Sequence, residues 1–145
     1  MAKSKTQSKR NAKHKTLRRS KVPQKTQIVR VFLKMVNIVK LYHWNTHSYS
    51  EHKATDELYS RLNENIDKFV EVYLGKDGSR IQKWNQNIKI PQLKKITLKS
   101  HVIEFRNLLV RMNQIFDQEN DSDLLSIRDD ILADINQFLY LLTLH

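Results

Sequence analysis

His52, Asp56, Asp67 and Glu71 stand at spacings that put metal-ligating side chains along one side of a helix. At about 100° per residue, with His52 at zero, Asp56 lies near 40°, Asp67 near 60° and Glu71 near 100°. His52/Asp56 and Asp67/Glu71 are each i,i+4 pairs, so either pair can converge on an ion from successive turns. The two pairs are about 16 Å apart along the axis, too far to share one ion within one chain. A second chain packed antiparallel would bring the histidine end of one helix against the carboxylate end of the other. His43, at the end of the first helix, is the other histidine whose position leaves it a candidate. Mixed imidazole and carboxylate ligands suit iron, and also zinc or manganese. The plain alternative is a solvated helix edge, which Glu57, Glu64 and Lys68 already supply. Of the other histidines, His14 lies in the N-terminal arm, His47 in a turn, His101 at the exposed opening of a third helix and His145 at the terminus.

Other chemistries find no residues. The 145-residue chain has no cysteine, which removes disulfide scaffolds, thiolate metal sites and cysteine nucleophiles. No Gly-rich phosphate loop or G-x-S-x-G elbow is present. Two glycines and two prolines leave few tight turns, against β-sandwiches and nucleotide-binding α/β folds. No apolar run approaches the roughly 18 residues of a membrane span, and the start lacks the apolar core of a secretory signal. Lys dominates Arg there, and apolar residues are too few for a mitochondrial presequence.

The net charge of +11 is unevenly placed. Residues 1–26 hold ten cations and no acid: Lys3, Lys5, Lys9, Arg10, Lys13, Lys15, Arg18, Arg19, Lys21 and Lys25. The remainder holds sixteen basic and fifteen acidic residues. An arm with so little to bury is expected to be disordered in isolation. Its cations would neutralise phosphates and release counterions, giving DNA binding that ignores sequence and weakens with salt. Nothing in it supports base readout. A solubilising or targeting role, with Lys13–Lys21 as a nuclear-localisation-like stretch, is the alternative.

All-α elements must position these groups. Ile28 to Tyr42 is apolar with polar breaks every three to four residues, a helix from about Thr26 that passes through His43 and Trp44 and ends near Asn45–Ser48. Ser50 is the expected N-cap of a second helix, with Leu58, Leu62, Ile66, Phe69, Val70 and Tyr73 as its stripe and Gly75 as its stop. Residues 76–99 lose periodicity, and Trp84 in them reads as a packing anchor. A third helix follows Ser100, a turn covers Gln118–Asp123, and a fourth helix begins near Ser122 with acids at its start. Trp44 is assigned to the core. Two helices, a long crossover and two more helices describe a ferritin-like four-helix bundle over residues 27–145, preceded by the basic arm over 1–26.

The run His43-Trp44-Asn45, then His52-x3-Asp56, then Asp67-x3-Glu71, resembles Dps, the miniferritin family of DNA-protecting iron oxidases. Ser50-Glu51-His52-Lys53-Ala54 through Phe69-Val70-Glu71-Val72-Tyr73, and the closing Phe138–Leu144 stretch, look like an uncharacterised Dps-like family of phages and large DNA viruses. The turn before His52 is shorter than the Dps pattern, and Glu51 precedes His52 where that family has an acid after it. The resemblance implies a ferroxidase centre at a twofold interface. His43, His52 and Asp56 of one chain would face Asp67 and Glu71 of another, with Asp56 a ligand or the group that orients one. It implies iron, at a di-iron or mono-iron centre, oxidised by hydrogen peroxide or oxygen. It implies self-association as a dimer or dodecamer and a Lys-rich arm on DNA. The place of action would be the cytoplasm, a DNA complex or a virion. The competing expectation is a non-enzymatic DNA-condensing or virion-associated protein on the same fold.

Overall fold

The computed structural model describes residues 24–81, 84 and 87–144. Among the described residues every regular element is helical: α1 Gln24–Asn45, α2 Tyr49–Gly75, α3 Lys95–Arg111 with a 3-10 turn over Met112–Gln114, and α4 Ser122–Leu141. The principal contacts run α1 on α2, α2 on α4, α4 on α3 and α3 on α1, so the bundle is a closed square.

End contacts set the directions. Lys95 at the start of α3 pairs with Glu51 at the start of α2, 2.8 Å apart. Lys76, just past the end of α2, pairs with Asp121 and Asp123 at the start of α4. Helices α2 and α3 therefore point the same way, and residues 76–94 return the chain along the full bundle. A helix the length of α2 spans about 40 Å, which an extended connector of this length can cover.

The core forms where the apolar stripes meet. Phe32 packs edge-on against Phe69 and Phe105, with ring centres 5.2 and 5.8 Å apart, and Phe69 continues to Phe116 at 5.9 Å. Ile38, Leu62, Leu98, Leu109, Leu124, Ile131 and Ile135 are fully enclosed around them. Arg128 is the buried cation. It donates to the Leu109 carbonyl at 2.7 Å, to Asn113 Oδ1 at 2.6 Å and to Asp129 at 2.7 Å, which satisfies the frayed end of α3.

Several expected boundaries move for local reasons. α2 is capped by Ser48 and not Ser50: the Ser48 hydroxyl accepts from Glu51 N while its backbone is extended. The stop after Gly75 needs no left-handed glycine, because Lys76 is still right-handed and the positive φ, 66°, falls at Gly78. α3 begins at Lys95, ahead of Ser100. The Thr97 hydroxyl closes its first turn by bonding both the N–H and carbonyl of Lys94, and Leu98 plugs into the core. The connector is thus shorter than expected, and His101 sits inside α3, partly covered.

The arm and body meet earlier than residue 26, since α1 starts at Gln24 and Thr26 is buried. Lys25 belongs to the fold. Its ammonium donates to Asp77 Oδ2 at 2.7 Å, Ser79 Oγ at 2.8 Å and the Tyr73 carbonyl at 3.1 Å, tying α1 to the chain after α2. Those bonds occupy its donors, so Lys25 is removed from the expected phosphate-binding set. Trp44 is 65 % exposed and not in the core, because Tyr42 and His43 take the inward positions and the next residue turns about 100° outward. Trp84 is also exposed, at 41 %. No helix among the described residues is long and apolar enough to cross a membrane.

Candidate metal centre

The three-residue turn between α1 and α2 folds His43 and His52 onto each other. Their rings stack with centres 3.9 Å apart and planes inclined by 24°. His43 Nδ1 lies 3.1 Å from the His52 carbonyl, and His52 Nδ1 lies 3.1 Å from the His43 carbonyl. A carbonyl only accepts, so both Nδ1 atoms must carry the proton. In neutral imidazoles that leaves the lone pair on Nε2, the state in which histidine binds a metal, with the ring held by its second nitrogen. The Thr55 hydroxyl is fully buried behind the pair, donates to the Glu51 carbonyl at 2.7 Å, and lies 3.4 Å from His43 Nδ1.

Asp56 stands on the open side. Its Oδ1 is 3.8 Å from His43 Nε2. That is too long for a hydrogen bond. It suits two ligands of one ion, since donors each about 2.1 Å from a metal are up to about 4.2 Å apart. His43 is buried, whereas His52 and Asp56 are exposed, so this group opens outward from the bundle.

A network beneath the turn holds the geometry. Glu51 Oε2 accepts from the Tyr42 hydroxyl at 2.6 Å and the Thr46 hydroxyl at 2.9 Å, and Oε1 faces Lys95. Burial pushes the Glu51 carboxyl up, but the bonds from Lys95, Tyr42 and Thr46 outweigh it and the net shift is downward. Burial first, and the neighbouring Glu51 second, push the Tyr42 phenol up to about 12. Sequence reasoning missed this support, although Ser48-x-x-Glu51 is a capping-box pattern that marks it.

Asp67 and Glu71 are exposed farther along α2 and do not reach the histidines. Among the described residues no group of three or more His, Asp or Glu side chains gathers around one point. One chain thus stacks His43 on His52 and brings Asp56 to 3.8 Å from His43, and leaves Asp67 and Glu71 apart. Asp67 borders a shallow groove of about 200 Å³ between α1 and α2, floored by Phe32, Val36 and Ile66, with Leu33 on it 39 % exposed. Trp44 and Leu33 leave apolar surface on the outer side of α1, and Lys40 lies 4.2 Å from the Tyr59 ring centre and 5.6 Å from that of Trp44. Lys3, Lys5, Lys9, Arg10, Lys13, Lys15, Arg18, Arg19 and Lys21 lie outside the described residues.

Residues 43–142 match the model of a family of unknown function, DUF5856, and the chain belongs to that family. It is also similar to an uncharacterised 14.6 kDa protein from the mobD-ri intergenic region of Enterobacteria phage T4. The two are 34 % identical over 102 residues, covering 70 % of this chain and 74 % of the phage protein. The family match begins at His43, takes in all five candidate ligands and leaves out the basic arm. No solved structure matches.

Proposed function

We propose that this is a Dps-like protein on a ferritin-like bundle, which binds and oxidises iron(II) where two copies meet and holds DNA through its basic N-terminal arm. The observation that carries the metal reading is the reciprocal bonding of His43 and His52. Each ring spends its Nδ1 proton on the other residue's carbonyl, which frees both Nε2 atoms and leaves that of His43 3.8 Å from Asp56. Two helices, a connector running the length of the bundle and two further helices support the ferritin-like assignment. The outward-facing histidine cluster and the separate Asp67/Glu71 pair suit a centre completed by a second copy in antiparallel register. Iron(II) is the substrate, with zinc or manganese able to occupy the same ligands. Hydrogen peroxide or oxygen takes the electrons, so the chain's part is to bind and orient the ion.

The test is ferrous oxidation by peroxide under otherwise anaerobic conditions, comparing the natural chain with His52→Ala/Glu71→Gln. Both positions are exposed, so the variant keeps the fold. Rapid ferric absorbance from the natural chain alone is expected. Equal rates would leave a non-enzymatic DNA-condensing or virion-associated protein.

A further inference from the structure

α3 has two apolar sides. With Phe105 at zero and about 100° per residue, its buried residues Leu98, Val102, Phe105 and Leu109 fall at roughly 0–60°. Ile96, Ile103 and Val110 fall near 180°, 160° and 140°, on the side turned away from the core. Ile96 is 74 % exposed, Val110 50 %, and Ile103 is partly exposed. The three stand seven residues apart, the repeat that keeps one position of a coiled-coil seam in line along a helix. They make a stripe about 21 Å long. An ordinary solvated face reads differently: Glu57, Glu64 and Glu71, also seven apart on the outer side of α2, are all exposed acids. One exposed aliphatic residue is unremarkable, but three β-branched ones on one line mark a surface that a partner covers.

Charge borders the stripe on one edge only. Lys99 near 120° and Arg106 near 100° run beside it, seven apart, while Ser100 near 220° and Asn107 near 200° line the other edge. Lys99 is exposed and Arg106 partly so. Among the described residues neither forms an ion pair. This asymmetry selects the occupant. A second α3 laid antiparallel would set the two cations against their own counterparts, and laid parallel it would offer them only Ser100 and Asn107. The outer side of a second α2 would bring glutamates but nothing apolar for the isoleucines. The basic arm would be repelled. A helix with an apolar stripe and acids along one edge satisfies both features.

We infer that the outer face of α3 docks an acidic amphipathic helix of another protein. Ile96, Ile103 and Val110 bury its apolar stripe, and Lys99 and Arg106 pair with its acids. The aliphatic line supplies the affinity, and the one-sided charge fixes which edge of the partner lies where. Neither the metal centre nor the arm takes part.

Full-length protein is titrated, by fluorescence anisotropy, with two synthetic amphipathic helices that share a leucine stripe. One carries Glu along the edges of the stripe and the other Lys. The arm attracts any anion, so the result is read from substitutions on α3, with circular dichroism confirming the fold. Ile96→Gln/Val110→Gln, both at exposed positions, should weaken binding of the Glu helix at least about tenfold, as loss of buried aliphatic side chains requires. Ile103→Gln should act in the same direction. Lys99→Glu/Arg106→Glu should weaken the Glu helix and strengthen the Lys helix. Natural affinities in all three variants overturn the inference and leave the arm as the only source of binding. Apolar variants that weaken both helices, beside a charge variant that changes neither, overturn the acidic partner. Self-association in light scattering that the apolar variants abolish, with the Glu helix bound as before, overturns the inference in favour of a second copy.

Discussion

A centre built from two chains can be detected by mixing two dead proteins. One variant, His52→Ala/Asp56→Asn, destroys the histidine half; the other, Asp67→Asn/Glu71→Gln, destroys the carboxylate half. All four side chains are exposed, so neither variant opens the core. His52 does make one bond, from its Nδ1 to the His43 carbonyl, whose loss costs about 1 kcal/mol and leaves the fold intact. In a twofold dimer each site takes its halves from different chains. Either variant alone has no complete site. In a mixed dimer one site combines both damaged halves and the other combines both natural halves. Random exchange at equal concentrations makes half the dimers mixed, so about a quarter of the natural sites return. The assay is the initial rate of ferric absorbance after peroxide addition, with ferrous binding as a second readout. Recovery to about a quarter of the natural rate is expected after dissociation and re-association of the mixture. Two inactive variants whose mixture stays inactive would refute a shared centre. Full activity in either variant alone would refute the ligand assignment.

Other consequences concern the scaffold. Arg128→Met should lower stability by about 2 kcal/mol, read as a reduced Tm, because the Leu109 carbonyl and Asn113 lose a buried partner. Phe32→Ala should cost about 3–5 kcal/mol in denaturant unfolding, since the ring is fully enclosed and joins α1 to α2 and α3. Trp44→Phe should stay within about 0.5 kcal/mol, and a core-sized loss would contradict its exposed placement. Glu51 has its carboxyl held below the ordinary 4.5, so the folded state favours its ionised form. Its contribution is complete above pH 4.5 and is lost as pH falls below that value, and Glu51→Gln should flatten this limb of the stability–pH curve.

Much of the bundle was legible in sequence because helical periodicity is local. The apolar stripe of α2, its length and the start of α4 near Ser122 all follow from the 3.6-residue repeat and from where acids and turn residues fall. Boundaries were less legible. The capping role of Ser48 and the closing of α3 at Lys94 depend on which hydroxyl finds a backbone partner, and Ser48 and Ser50 look equivalent in the text. Trp44 misled because residue type argued for burial, while the inward direction of α1 had already been taken by its neighbours.

The candidate site divides the same way. Spacing alone placed His52, Asp56, Asp67 and Glu71 on one arc and separated them into two pairs, because an α-helix converts sequence distance directly into angle and rise. The stacking of His43 on His52, the protonation that frees both Nε2 atoms, and the approach of Asp56 arise only when the turn folds α2 back on α1.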